Sequence, residues 1–305
     1  MKRRAIDLSI IDAFVKNGDG GNPAGVVLDA GNLSEADMQA IALKAGLSET
    51  AFVSPHAESG FRLDFFTPNR RIAHCGHATI AVFSHMARLG IVGQGETVKH
   101  TVDGPRKIII QGHRAYMEQI APRYEKSPLW QGISEEDVLA SLGITRNDLI
   151  AGGEPILVNT GNSFMLIGVR DAAVLSKLRP NRGAVVAISE TLNLVGYYVF
   201  TPNTPEKGVA ATARMFGPRY SIEEEAATGM AAGPLACLLY DRFGLKEDRM
   251  VIEQGRFMAT PSISEIEVQL KTTGGQITGL MAGGEARPQS KQQIVVQAPI
   301  EQAGL

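Results

Sequence analysis

Two cysteines in 305 residues, Cys75 and Cys237, are too few for a disulfide framework, and their positions form no CxxC pair. Charge is scarce and balanced: charged residues make up 20 % of the chain, with 32 acidic against 30 basic side chains and a net charge of -2. No Lys/Arg cluster interleaves with aromatics, so nucleic acid is not an expected partner. No apolar run reaches the ~18 residues that a membrane span requires. Met1-Lys2-Arg3-Arg4 imitates the start of a secretion signal, but Asp7 and Asp12 cut the stretch that follows and no cleavage-type run appears. Gly20-Gly21, Gly152-Gly153 and Gly283-Gly284 lack the strand–GxGxxG–helix plan of a dinucleotide or phosphate loop. These absences leave a cytoplasmic globular protein. Its 44 % apolar content suffices for full cores, and its length suits two ordinary domains or one large one.

What is present is a pattern that occurs twice. Gly21-Asn22-Pro23 precedes the apolar run Val26-Val27-Leu28, and then come Phe66-Thr67-Pro68 and Cys75-Gly76-His77-Ala78-Thr79. In the second half Gly161-Asn162-Ser163 precedes Phe164 to Ile167. Phe216-Gly217-Pro218 and Thr228-Gly229-Met230-Ala231-Ala232 follow in the same order. Cys75 and Thr228 therefore occupy equivalent places, and a period this long means domain duplication rather than a solenoid.

Each copy contains a helix that is apolar or small almost all round, from Gly76 to Leu89 and from Gly229 to Phe243, which belongs inside a core. Gly90 and Gly244 stand where C-terminal caps are expected, and Pro234 is expected to kink or shorten the second helix's first turn. Residues 265–271 alternate cleanly and 196–200 are β-rich, so strands surround these helices. Surface helices open at capping boxes beginning at Ser34 and Ser134. The reading is α+β, with two pseudo-symmetric domains, each a β-sheet or barrel wrapped around a central apolar helix. The boundary falls near 115–130, where Pro122 and Pro128 interrupt the pattern. Residues 1–117 form the first domain and 118–286 the second, with 287–305 returning to the first as a final strand plus a tail expected to be disordered.

A helix that starts at glycine offers unpaired N–H groups and a positive dipole end to a carboxylate or oxyanion. Two such starts related by the repeat, at Gly76 and Gly229, are expected to face one cleft and stabilise an enolate-like transition state without a metal. His74 and His77 suggest a metal pair, but no carboxylate stands at matching spacing, so no metal is expected. Cys237, on the apolar helix, reads as core.

The ordered set Gly21-Asn22-Pro23-Ala24, Leu47-Ser48-Glu49-Thr50, Phe66-Thr67-Pro68, Cys75-Gly76-His77, Arg214 to Pro218 and Glu224 to Leu235 closely resembles the phenazine-biosynthesis PhzF-type isomerases. These are relatives of diaminopimelate epimerase and proline racemase. The resemblance runs from about Ile10 to Val268. It implies the diaminopimelate-epimerase-like fold, a homodimer without cofactor, and a proton-shift isomerisation of a small cyclic or amino-acid-like carboxylate. By motif position it makes Glu49 the acid/base, with His77 and Glu225 as further catalytic residues. Asn22, Ser48, Cys75, Gly76, Thr228, Gly229 and Met230 would line the substrate. A desolvated carboxylate is suited to take and return a proton. The racemase relatives use two cysteines where this chain has Cys75 and Thr228, and a threonine hydroxyl is no base near neutral pH. A one-base shift is therefore favoured over its alternatives, a Cys75 racemase or epimerase and a non-catalytic carboxylate-binding protein. Three departures bear on the substrate: Met230 stands where the phenazine enzyme has serine, Glu225 where aspartate is usual, and Arg71 where relatives are often acidic.

Overall fold

The computed structural model describes residues 3–127, 130–204 and 206–297. The chain divides into two compact units. Of the described residues, the first comprises 3–13, 23–117 and 285–297; the second comprises 14–22 and those of 118–284. Residues 14–22, which a contiguous reading leaves in the first domain, fall with the second, because Val15 bridges to Ser264 and the Phe14 carbonyl accepts from the Glu265 N–H. Pro128 and the tail beyond residue 297, expected to be disordered, lie outside the described residues.

The first unit begins with β1 (Arg3–Ala13), β2 (Asn22–Val27), α1 (Glu35–Ala45), β3 (Thr50–Pro55), β4 (Phe61–Phe66) and β5 (Arg71–Ile72). Then come α2 (Gly76–Arg88), β6 (Gly95–Thr101), β7 (Gly104–Gln111) and β8 (Arg114–Ile120). Strand β3 runs parallel to β2 and antiparallel to β4; β6 lies parallel to β4, and β7 and β8 continue antiparallel. Residues 76–86 of α2 are all buried, as a helix without a polar face requires. It packs against β1, β3 and β7. Helix α1 lies outside, opened by the Ser34–Asp37 capping box and closed by Gly46 in the left-handed region.

The second unit repeats this plan. Strands β9 (Arg123–Glu125), β10 (Ile156–Asn159), β11 (Ser163–Gly168), β12 (Gly196–Thr201) and β13 (Ala211–Gly217) are followed by β14 (Ile222–Glu225), β15 (Arg249–Gln254), β16 (Ser264–Thr273) and β17 (Gln276–Gln297). The parallel pair β11–β12 answers β2–β3, and the parallel pair β13–β15 answers β4–β6. Among its helices are α3 (Glu135–Ser141), α4 (Ala172–Lys177), α5 (Arg182–Thr191) and the buried α6 (Gly229–Arg242). Helix α3 carries the expected Ser134–Asp137 capping box. Helices α4 and α5, which the repeat pattern does not reveal, start at the side-chain caps Asp171 and Asn181. Helix α6 runs unbroken through Pro234 rather than ending or shortening there. It packs against β11, β15 and β16. The single tryptophan, Trp130, is fully buried in this unit's core. The last part of β17 pairs antiparallel with β1, so residues 286–297 complete the first unit. Among the described residues no helix is long and apolar enough to cross a membrane.

Candidate active site

In the first unit the end of the turn after α1 and the start of α2 bring Glu49, Cys75 and His77 together. Their relative exposures are 7, 6 and 4 %. His77 Nε2 lies 3.3 Å from Glu49 Oε2, and Cys75 Sγ lies 3.5 Å from His77 Nδ1. Glu49 is pinned at the backbone, where its carbonyl accepts from the Gly25 N–H at 3.0 Å, so the register of β2 against β3 sets its position. Among the described residues its buried Oε2 has no hydrogen-bond donor in bonding geometry. Ser48, next to it in the turn, is exposed. Cys75 is the N-cap of α2, and its side chain makes no cap bond to the first turn. The positive end of a helix buried over residues 76–86 is thereby presented beside an acid and an imidazole.

Burial is the largest influence on the Cys75 thiol and pushes its pKa up, opposed in part by His77. A layer the sequence did not mark lies beneath. Thr79 Oγ1 donates to the Cys75 carbonyl at 2.6 Å, and Lys99 Nζ donates to Thr79 Oγ1 at 3.0 Å. The Lys99 amine also lies 2.9 Å from His74 Nδ1 and 3.3 Å from Met117 Sδ. Burial lowers the Lys99 pKa to about 7. The same burial, then Lys99 itself, holds His74 well below the ordinary histidine value. His74 thus turns to Lys99, and the imidazole between Cys75 and Glu49 is that of His77, with Nδ1 toward Cys75 and Nε2 toward Glu49. Three donor types, carboxylate, thiol and imidazole, all lie within 4.8 Å of one another. Spacing along the chain could not show this, because Glu49 arrives from a different element. Arg71 pairs with Asp64 and with Glu35 at 3.2 Å, outside this cluster.

The second unit holds the other expected residues. Asn22 Nδ2 donates to Glu225 Oε1 and to the Ala227 carbonyl, each at 3.0 Å, and the Thr228 hydroxyl donates to the other Glu225 oxygen. Thr228 caps α6 only by position; like Cys75 it makes no side-chain bond to the first turn. Space at Gly229 is tight: a Cβ there would stand 3.0 Å from the Phe14 ring, which would have to give by a few tenths of an ångström. Met230 Sδ lies 3.3 Å from Asn162 Nδ2. The neighbours of Glu225 do other work: Glu224 makes a two-pronged pair with Arg214 at 2.7 Å per bond, and Glu223 pairs with Arg182 at the surface.

Gln254 is the residue sequence reasoning missed here. Fully buried at the end of β15, its Oε1 accepts from the Thr228 N–H at 3.1 Å and the Tyr198 hydroxyl at 2.9 Å. Its Nε2 donates to the Glu225 carbonyl at 2.6 Å and to Thr228 Oγ1 at 3.1 Å. The available signal was a pair of polar residues, Glu253-Gln254, closing an apolar strand. Cys237 is core, its thiol pushed up to about 12 by burial.

The profile of the phenazine biosynthesis-like protein family matches residues 11–289. The isomerase YddE of Escherichia coli O157:H7, of unassigned substrate, is 34 % identical over 271 residues, 86 % of this chain and 89 % of that protein. Trans-2,3-dihydro-3-hydroxyanthranilate isomerase of Pseudomonas chlororaphis is 32 % identical over 266 residues, covering 83 % of this chain and 87 % of that enzyme. In fold, the crystal structure of the Bacillus anthracis PhzF-family protein matches with a TM-score of 0.83 at 24 % identity, over 96 % of this chain and all of that one.

Proposed function

This chain belongs to the phenazine biosynthesis-like protein family and is an isomerase, and from that premise we propose that it shifts a proton on a small carboxylate with Glu49 as acid and base and no cofactor. The observation that carries this reading is the state of Glu49. Its carboxylate is buried, 3.3 Å from His77, and one oxygen accepts no hydrogen bond. A buried carboxylate oxygen that no hydrogen bond occupies is available to a substrate C–H.

In the proposed step Glu49 takes a proton from a substrate carbon, and the electron pair delocalises toward the substrate's unsaturated or carboxylate group. The α2 start, with its N–H groups and dipole, offsets the growing negative charge. Glu49 then returns the proton at another carbon of the same system. One C–H bond breaks, another forms, the double bond moves, and nothing is added or lost. His77 orients the Glu49 carboxylate between these steps.

The thiol chemistry argues in the same direction. Cys75, with its raised pKa, stays protonated near neutrality, and Thr228 spends its hydroxyl on Glu225. Neither serves as one of two facing bases, which supports a one-base shift over racemisation. The substrate class is a cyclic or amino-acid-like carboxylate. Met230 places a thioether where the phenazine enzyme carries serine, so trans-2,3-dihydro-3-hydroxyanthranilate serves as the first probe among several rather than as the assigned substrate.

A panel of such carboxylates assayed with wild type and Glu49→Gln tests the reading. The variant is expected to bind the compounds wild type turns over and to convert them roughly 10²–10⁴-fold more slowly. Turnover by Glu49→Gln at the wild-type rate overturns it.

A further inference from the structure

We propose that Glu49, Cys75 and His77 form a binding site for a thiophilic divalent cation, zinc in the first instance, and that its occupation is inhibitory. The donor set is one thiol, one imidazole and one carboxylate, the three ligand types that zinc takes from proteins. Three protein donors with the fourth position left to water or an anion is the open arrangement of non-structural zinc sites.

The distances fit. Zinc–ligand lengths of about 2.0–2.1 Å to nitrogen and oxygen and about 2.3 Å to sulfur, at tetrahedral angles, require edges of roughly 3.3 Å for N···O and roughly 3.6 Å for N···S. His77 Nε2 and Glu49 Oε2 are already 3.3 Å apart. Cys75 Sγ lies 4.0 Å from the same nitrogen, roughly half an ångström beyond that edge, and the three donor atoms lie within 4.8 Å of one another, so both edges to sulfur close by about an ångström or less.

A second observation points to the same place. Glu49 Oε2 is buried and accepts no hydrogen bond, an acceptor at the centre of the cluster that a cation would satisfy. Charge also balances. Cys75 releases its thiol proton to solvent on binding, and Zn²⁺ with one thiolate, one carboxylate and a neutral imidazole is net neutral. That is the charge a buried site tolerates best.

Coordination engages the Glu49 carboxylate. That the ion stops turnover therefore rests on the proposed function, whereas binding itself does not. Cobalt(II) gives a readout free of turnover. Titrated into the reduced, metal-free full-length protein, it is expected to produce a thiolate-to-cobalt charge-transfer band saturating at one ion per chain. The band is expected to vanish in Cys75→Ser and to shift in His77→Gln. Zinc is expected to abolish the band by competition and to protect Cys75 of wild type from alkylation, read by peptide mass spectrometry, a measurement that needs no variant to fold. No band with wild type, a band retained in Cys75→Ser, or unchanged alkylation of Cys75 in zinc overturns the site. If the band appears and zinc leaves isomerisation untouched, the cation site stands and the role given to Glu49 falls.

Discussion

Lys99 donates to Thr79 Oγ1 at 3.0 Å from a position with no solvent exposure, and Thr79 in turn holds the carbonyl of Cys75, the residue that starts α2. A buried amine thus sits close to the Glu49–Cys75–His77 cluster, in the same unit, and its protonation is linked to folding.

The sign of that linkage is fixed by the depressed pKa. Lys99 titrates at about 7 in the folded chain against an ordinary 10.5, chiefly because burial disfavours the ammonium. Above the unfolded value neither state holds the proton and no cost arises. Between about 7 and 10.5 the unfolded chain binds a proton that the folded chain does not, so the Lys99 contribution to stability rises with pH across that window. Below 7 it levels off. Cys75, with its raised thiol pKa, works the other way at the alkaline end, so the comparison is cleanest from pH 7 to about pH 9. Urea unfolding of wild type and Lys99→Met at several pH values across this range should show wild type gaining stability relative to the variant as pH rises, by on the order of a few kcal/mol. A pH-independent difference contradicts it.

Cys75→Ala separates isomerase from racemase. With the thiol protonated and outside the proton path, turnover in the variant is expected within a few-fold of wild type. Loss of roughly 10³-fold or more, with Glu49→Gln little affected, would restore the thiol as the base. Chiral analysis of the product separates the two mechanisms independently, since only a racemase returns both enantiomers.

Gln254→Leu is expected to be costly for stability. The substitution strands the Tyr198 hydroxyl and the Thr228 N–H, both buried, and frees the start of α6. A loss of about 2–4 kcal/mol in chemical denaturation follows from two unsatisfied buried groups. A change under about 0.5 kcal/mol would mean that water replaces the amide.

The duplicated plan was legible because its signals are local: glycines that open two all-apolar helices, strands of alternating polarity, and capping boxes at Ser34 and Ser134. Helices α4 and α5 escaped because their caps, Asp171 and Asn181, carry no following acid to make a box. The place of residues 14–22 in the second unit was not legible, because pairing with Ser264 and Glu265 is a long-range event that no local pattern encodes. The site shows the same divide. Glu49, Cys75 and His77 could be named from motif position, but that their donor atoms converge could not be read from spacing. Lys99 and Gln254 look like ordinary strand residues in sequence and acquire meaning only through burial. Glu225 stands out from a run of three glutamates by motif position alone; in the structure each of the three has a different partner.

The proton history of Glu49 tests the account most directly. Conversion of an active carboxylate by wild type in deuterium oxide, followed by mass spectrometry and proton NMR, is expected to place deuterium only at the carbon that receives the proton, in the fraction of turnovers in which the Glu49 carboxyl exchanges with solvent before returning it. The remaining product carries the proton taken from the substrate. Glu49→Gln, still folded by its melting curve, is expected to give neither product nor exchange into substrate. Exchange that survives in Glu49→Gln and disappears in Cys75→Ala would contradict the account.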